Sequence, residues 1–159
     1  MNKIVGLILC FFVAQLQFAL AQNKADVKKY KVKSVTEYDN KSSKNVIDSK
    51  TIYDANGEVL EEYSYNKDGK LKEAHKYKRD TNGDVREDSE YGENGKLKEK
   101  RIVKHNEQGN KIEESFYNAS NKLTKRVMYV YDSKGLKLEK KTYDDKGKLK
   151  STKKFVYEY

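Results

Sequence analysis

Apolar residues along this chain alternate with polar ones in short runs. Leu123, Lys125, Val127, Tyr129 and Tyr131 share one parity, as do Leu149, Ser151, Lys153, Phe155 and Tyr157. A period of two predicts strands, because successive side chains of a strand point to opposite faces. The spacings of three and four that a helix needs are missing. Between the runs a turn signature recurs: Asp or Asn, two residues, then Gly, as in Asp54-Ala55-Asn56-Gly57. That order fits a type I turn closed by a residue with positive φ. The closing residues are Gly57, Gly69, Gly83, Gly95, Gly109, Asn121, Gly135 and Gly147, so the steps alternate between 12 and 14 and the true period is 26. Asn121 stands where the others are glycine, and asparagine tolerates positive φ next best.

The pattern therefore predicts an all-β chain, an antiparallel meander of repeated β-hairpins with about eight to ten strands. An open curled sheet or solenoid-like array is expected, since every unit sees the same neighbours. A closed up-and-down barrel is the alternative. Four units fall at 49–74, 75–100, 101–126 and 127–152, with a final strand at 153–159. Ahead of them lies a degraded, capping unit: a strand over 31–38, a loop over 39–44 and a strand over 46–53. Residues 22–30 read as a flexible tether, and 31–159 as a single β-hairpin repeat domain. The chain has no proline, so nothing interrupts ladder hydrogen bonds.

The first 21 residues follow a different rule. Lys3, the apolar run Ile4–Val13 and the small-residue site Ala19-Leu20-Ala21 predict a cleaved secretory signal peptide, and the apolar run is too short to span a membrane. The expectation is an exported chain in the periplasm, at the cell surface or outside the cell, with no membrane span after cleavage. Cleavage removes Cys10, the only cysteine, and leaves no disulfide framework. It also lowers the net charge from +9 to +8 by removing Lys3. Leu, Ile, Val and Phe make up 23 of the remaining 138 residues, which would suggest disorder were it not for the tyrosines. All 13 lie in that part and most keep the repeat register, which predicts a folded chain with a thin core.

Stacked repeats show the columns. Tyr65, Tyr91, Tyr117 and Tyr143 form one, and Leu71, Leu97, Leu123 and Leu149 another. Lys70, Lys96, Lys122 and Lys148 follow the turn residue directly, and Lys72, Lys98 and Lys150 continue that face. With Glu61, Glu87, Glu113 and Glu139 they are expected to form cross-strand ladders worth a few tenths of a kcal/mol per exposed pair. The seven lysines are also the candidate contacts for a polyanion such as an acidic polysaccharide. His75 and His105 fall in different columns and read as incidental substitutions. Neighbouring carboxylates such as Glu61-Glu62 point to opposite faces and make no acid/base pair. Lysine inside the turns (Lys134, Lys146) disfavours calcium. No catalytic, metal or cofactor site is expected.

Tyr-Asp-x-x-Gly at Tyr53, Tyr131 and Tyr143 resembles the YD repeat of bacterial RHS proteins, and the Gly-Lys-Leu hairpins are similar to MORN-type repeats. The resemblance covers about residues 50 to 157 and implies an array of β-hairpins that coils as it extends. It departs from the family after the glycine, where the usual arginine is Glu58, Lys70, Asp84, Lys96 or Lys148. It carries over a scaffold and no catalytic residues. The expected function is that of a non-catalytic binding or structural module of the cell envelope, its partner a polyanionic surface polymer. The alternative is a partner-specific interaction protein, such as an immunity or toxin-associated factor.

Overall fold

The computed structural model describes residues 23–39 and 45–158. A short helix α1 (Lys24–Lys29) precedes ten strands: β1 (Ser34–Asp39), β2 (Val46–Tyr53), β3 (Val59–Tyr65), β4 (Leu71–Arg79), β5 (Val85–Gly92), β6 (Leu97–His105), β7 (Lys111–Asn118), β8 (Leu123–Tyr131), β9 (Lys137–Asp144) and β10 (Leu149–Lys154). They form one antiparallel sheet in strict sequence order. Strands β1 and β10 are its two edges, so the sheet is open and the barrel alternative does not hold. The signal peptide expected at 1–21 and most of the loop expected at 39–44 lie outside the described residues.

Local chemistry makes each hairpin. Asp54 Oδ1 accepts the backbone N–H groups of Asn56 and Glu58 at 2.8 and 2.9 Å, while Asp54 N–H donates to the Glu58 carbonyl at 2.9 Å. Asn66, Asp80, Asn118, Asp132 and Asp144 repeat this double acceptance. The side chain thus supplies acceptors that the tight turn cannot. The closing residues all have positive φ, from 69° at Gly95 to 89° at Gly83 among the glycines and 58° at Asn121. A register shift sits beside each of these turns, for instance between Ser64 and Tyr65 and between Lys104 and His105. Such bulges add twist.

The core is as thin as the composition implies. Among the described residues the buried apolar side chains are Val27, Ala74, Val103 and Val127. A single sheet has no second layer to bury against, so most side chains remain half-exposed.

Two expected elements differ. Residues 24–29 are helical and packed, not a free tether. Asn23 caps the helix by accepting the Ala25 N–H at 3.0 Å, Asp26 and the pair Lys28–Lys29 suit its dipole, and Val27 is 1% exposed. The helix lies on the β2–β3 turn so closely that a Cβ on Gly57 would sit 2.7 Å from the Lys24 carbonyl oxygen. Lys24 also pairs with Glu58. Lys31, at φ 52°, ends this segment and delays β1 to Ser34. At the other end the last strand is β10 from Leu149 to Lys154, not 153–159. The Phe155 N–H still donates to the Leu138 carbonyl at 3.0 Å, and the Tyr157 hydroxyl to the Lys137 carbonyl at 2.9 Å.

Candidate functional site: a charged ladder and a lysine edge

Register decides which charged side chains meet. Pairing places Glu62 opposite His75, Asp88 opposite Arg101, and Glu114 opposite Val127. All these residues share one face, called here the ladder face. A diagonal series crosses it at 13-residue steps. His75 Nδ1 lies 2.9 Å from Asp88, Asp88 is 3.0 Å from Arg101, and Arg101 is 3.1 Å from Glu114. Glu114 also binds Lys111 at 2.9 Å and accepts the Tyr129 hydroxyl. Tyr77 donates to Glu62 at 2.6 Å, and Glu73 accepts from the other nitrogen of His75 at 3.0 Å.

Electrostatics follow from that geometry. The hydrogen bond that His75 donates to Asp88, opposed by burial and reinforced by Glu73, raises the His75 pKa to about 9, so the ring is protonated at neutral pH. Burial works against ionisation of Glu114, which is 6% exposed, but Tyr129, Lys111 and Arg101 together hold its pKa below the usual range. Burial first and the facing carboxylate second push the Tyr77 and Tyr129 hydroxyls well above theirs. At neutral pH each of these groups therefore holds a single charge state. A depression of about 240 Å³ over the ladder is lined by His75, Asp88, Glu90, Glu99, Arg101 and Phe116. Among the described residues no group of three or more His, Cys, Asp or Glu could hold a metal ion.

The ladder corrects the reading of His75 as incidental; the 13-residue spacing of His75, Asp88, Arg101 and Glu114 was the signal for it. His105 is no part of it. Its counterparts one repeat away, Arg79 and Tyr131, donate to the Val59 and Lys111 carbonyls, whereas His105 Nδ1 is buried without a partner among the described residues.

The predicted lysines lie elsewhere. Lys70, Lys72, Lys96, Lys98, Lys122, Lys148 and Lys150 are all exposed. Lys70, Lys96, Lys122 and Lys148 sit on the edge formed by the β3–β4, β5–β6, β7–β8 and β9–β10 turns, where successive copies are two strands, about 9–10 Å, apart. They do not pair with the expected glutamates. Glu61 meets Lys76, Glu87 meets Lys78 and Glu113 meets Lys104, because those partners are level with them across the sheet and the turn lysines are not, while Glu139 meets Lys141 two residues along its own strand. Lys98 pairs with Glu90, Lys122 with Asp145 at 3.8 Å and Lys150 with Asp144 at 3.1 Å. Lys70, Lys72, Lys96 and Lys148 have no ion pair among the described residues. The opposite turn edge carries Asp54, Glu58, Asp80, Asp84, Glu107 and Asp132.

No family model and no curated protein matches the chain. Among solved structures it is similar to a protein of unknown function from Bacteroides fragilis, at 15% identity and TM-score 0.43, over 80% of this chain and 96% of that one. A porin-like protein from Bacteroides uniformis is similar at 11% identity and TM-score 0.37, over 75% of this chain and 48% of that one. The structure of TcdB2-TccC3-TEV is similar at 12% identity and TM-score 0.30, over 78% of this chain and 8% of that one.

Proposed function

We propose that the chain is an exported, non-catalytic repeat module of the cell envelope that binds a polyanionic polymer along its lysine edge. The observation that carries this reading is the asymmetry of the two turn edges. One repeats a lysine after each closing turn residue, with Lys70, Lys96 and Lys148 free of ion pairs among the described residues, and the other is acidic. A linear polyanion laid across the strands would meet a fresh ammonium group at each two-strand step. That step, about 9–10 Å, is close to the length of one disaccharide in an extended acidic polysaccharide. The likeness to YD repeats belongs with this reading, as a scaffold that displays columns.

Retention on heparin–agarose in a salt gradient tests it. The triple variant Lys70→Gln, Lys96→Gln, Lys148→Gln should weaken binding about tenfold at low salt, roughly 1.4 kcal/mol over three exposed contacts. A parent protein that washes straight through at low salt defeats the reading, as does a triple variant that elutes with the parent.

A second reading, a partner-specific interaction protein, draws on Met128 and Val130, each 40% exposed and side by side on the opposite face of β8. Binding that survives the triple variant and high salt but is lost in Met128→Ser would favour it.

A further inference from the structure

We propose that Lys137, Lys140 and Lys153 form a site for a doubly charged oxyanion, a phosphate or sulfate group, on the ladder face of β9 and β10. The columns make the case. Glu62, Asp88 and Glu114 stand 26 residues apart and supply the negative charges of the ladder; the next member of that column is Lys140. The cations His75 and Arg101 occupy the neighbouring column, which continues through Val127 to Lys153. Lys111, which binds Glu114 at 2.9 Å, is followed one repeat later by Lys137. On the last rung all three positions are lysine, and the carboxylate they would share is gone.

The side chains respond to that loss. Lys140 and Lys153 are directly opposite across β9 and β10, an arrangement that repels. None of the three has a carboxylate partner among the described residues. The Lys137 ammonium lies 4.8 Å from the Tyr129 ring centre and 5.7 Å from that of Phe155, and Lys140 lies 5.8 Å from Tyr129. Two cations thus gather at one ring. Phe155 takes the place of Tyr77 and Tyr129, whose hydroxyls donate to Glu62 and Glu114. The donor disappears on the same rung as its acceptor. An anion from solution fills the position of the missing carboxylate. Three compact ammonium charges favour a dianion over a single carboxylate. None of the turn-edge lysines takes part, so this site stands whether or not the polymer reading holds.

Thermal midpoints in sodium phosphate, against sodium chloride of equal ionic strength, test the site in the parent and in Lys140→Glu. General salting effects of phosphate act on both proteins alike. At ten times the dissociation constant the parent should gain about 3–6 °C more than the variant, and the gain should saturate. Lys140→Glu restores the carboxylate, so it should start from a higher midpoint in chloride and lose the phosphate increment. Lys153→Gln should lose the increment as well. A parallel series in sodium sulfate at pH 7.5 separates the sources: equal gains assign any dianion, and a gain with one salt alone assigns that group. An equal phosphate increment in parent and Lys140→Glu overturns the site, and so does the absence of any increment over chloride in the parent.

Discussion

Strands β3 to β7 and strands β8 to β10 carry the same columns on the same face, yet they settle their charges in opposite ways. In the first region Asp88 holds His75 and Arg101, and Glu114 holds Arg101 and Lys111. In the second, Glu73 and Glu99 have Lys125 as their next copy and Glu114 has Lys140, and the ammonium groups lie over Phe116 and Tyr129. The backbone scaffold is indifferent to the exchange, because the turns and bulges that set register lie at the strand ends. A repeat can thus keep its fold while one end becomes a closed network and the other an open cationic surface. Fold and site are written by different positions in the same 26 residues.

The difference can be broken from either side. The largest effect should come from Glu114→Gln, which leaves Arg101, Lys111 and the Tyr129 hydroxyl without their shared carboxylate. A loss of about 2–3 kcal/mol is expected in denaturant unfolding with an unchanged m-value. A loss below about 0.5 kcal/mol would mean that the network contributes no more than exposed pairs do.

Next in size is the pH response of His75. Its folded-state pKa of about 9 lies above the ordinary value of 6.5. The pairing with Asp88 therefore supports the fold fully below about pH 6.5 and fades as pH rises through 9. About 1–2 kcal/mol should be lost across that window, less than the full shift implies because the ring is 28% exposed and partly screened. The thermal midpoint should fall from pH 6.5 to 9.5 in the parent and stay level in His75→Gln. A level parent curve would remove the ion pair from the account. The smallest effect belongs to Lys153→Ala, in the same column as His75 and Arg101. Stability should change by less than about 0.5 kcal/mol, with any change a gain, since it relieves repulsion by Lys140.

Much of this arrangement was legible beforehand. Steric preference at positive φ is local, so Gly57 to Gly147 and Asn121 mark the turns without reference to anything distant. Alternation gives the strands by the same token. Helix α1 was hidden because six mostly polar residues bury one side chain, Val27, and only the docked β2–β3 turn makes that burial possible. The expected Lys–Glu ladders failed for a related reason. Column spacing suggests Lys70 as a neighbour of Glu61, but Lys70 stands in the β3–β4 turn and pairing sets Glu61 level with Lys76.

Sequence alone determined the period, the antiparallel order and the turn chemistry, since each depends on contacts within about a dozen residues. The tertiary structure decided which charges share a rung. That depends on bulged register across separate strands, where a shift of one residue sends a side chain to the other face. The same register carries His75 into the ladder and leaves Lys140 and Lys153 facing each other without an acid between them.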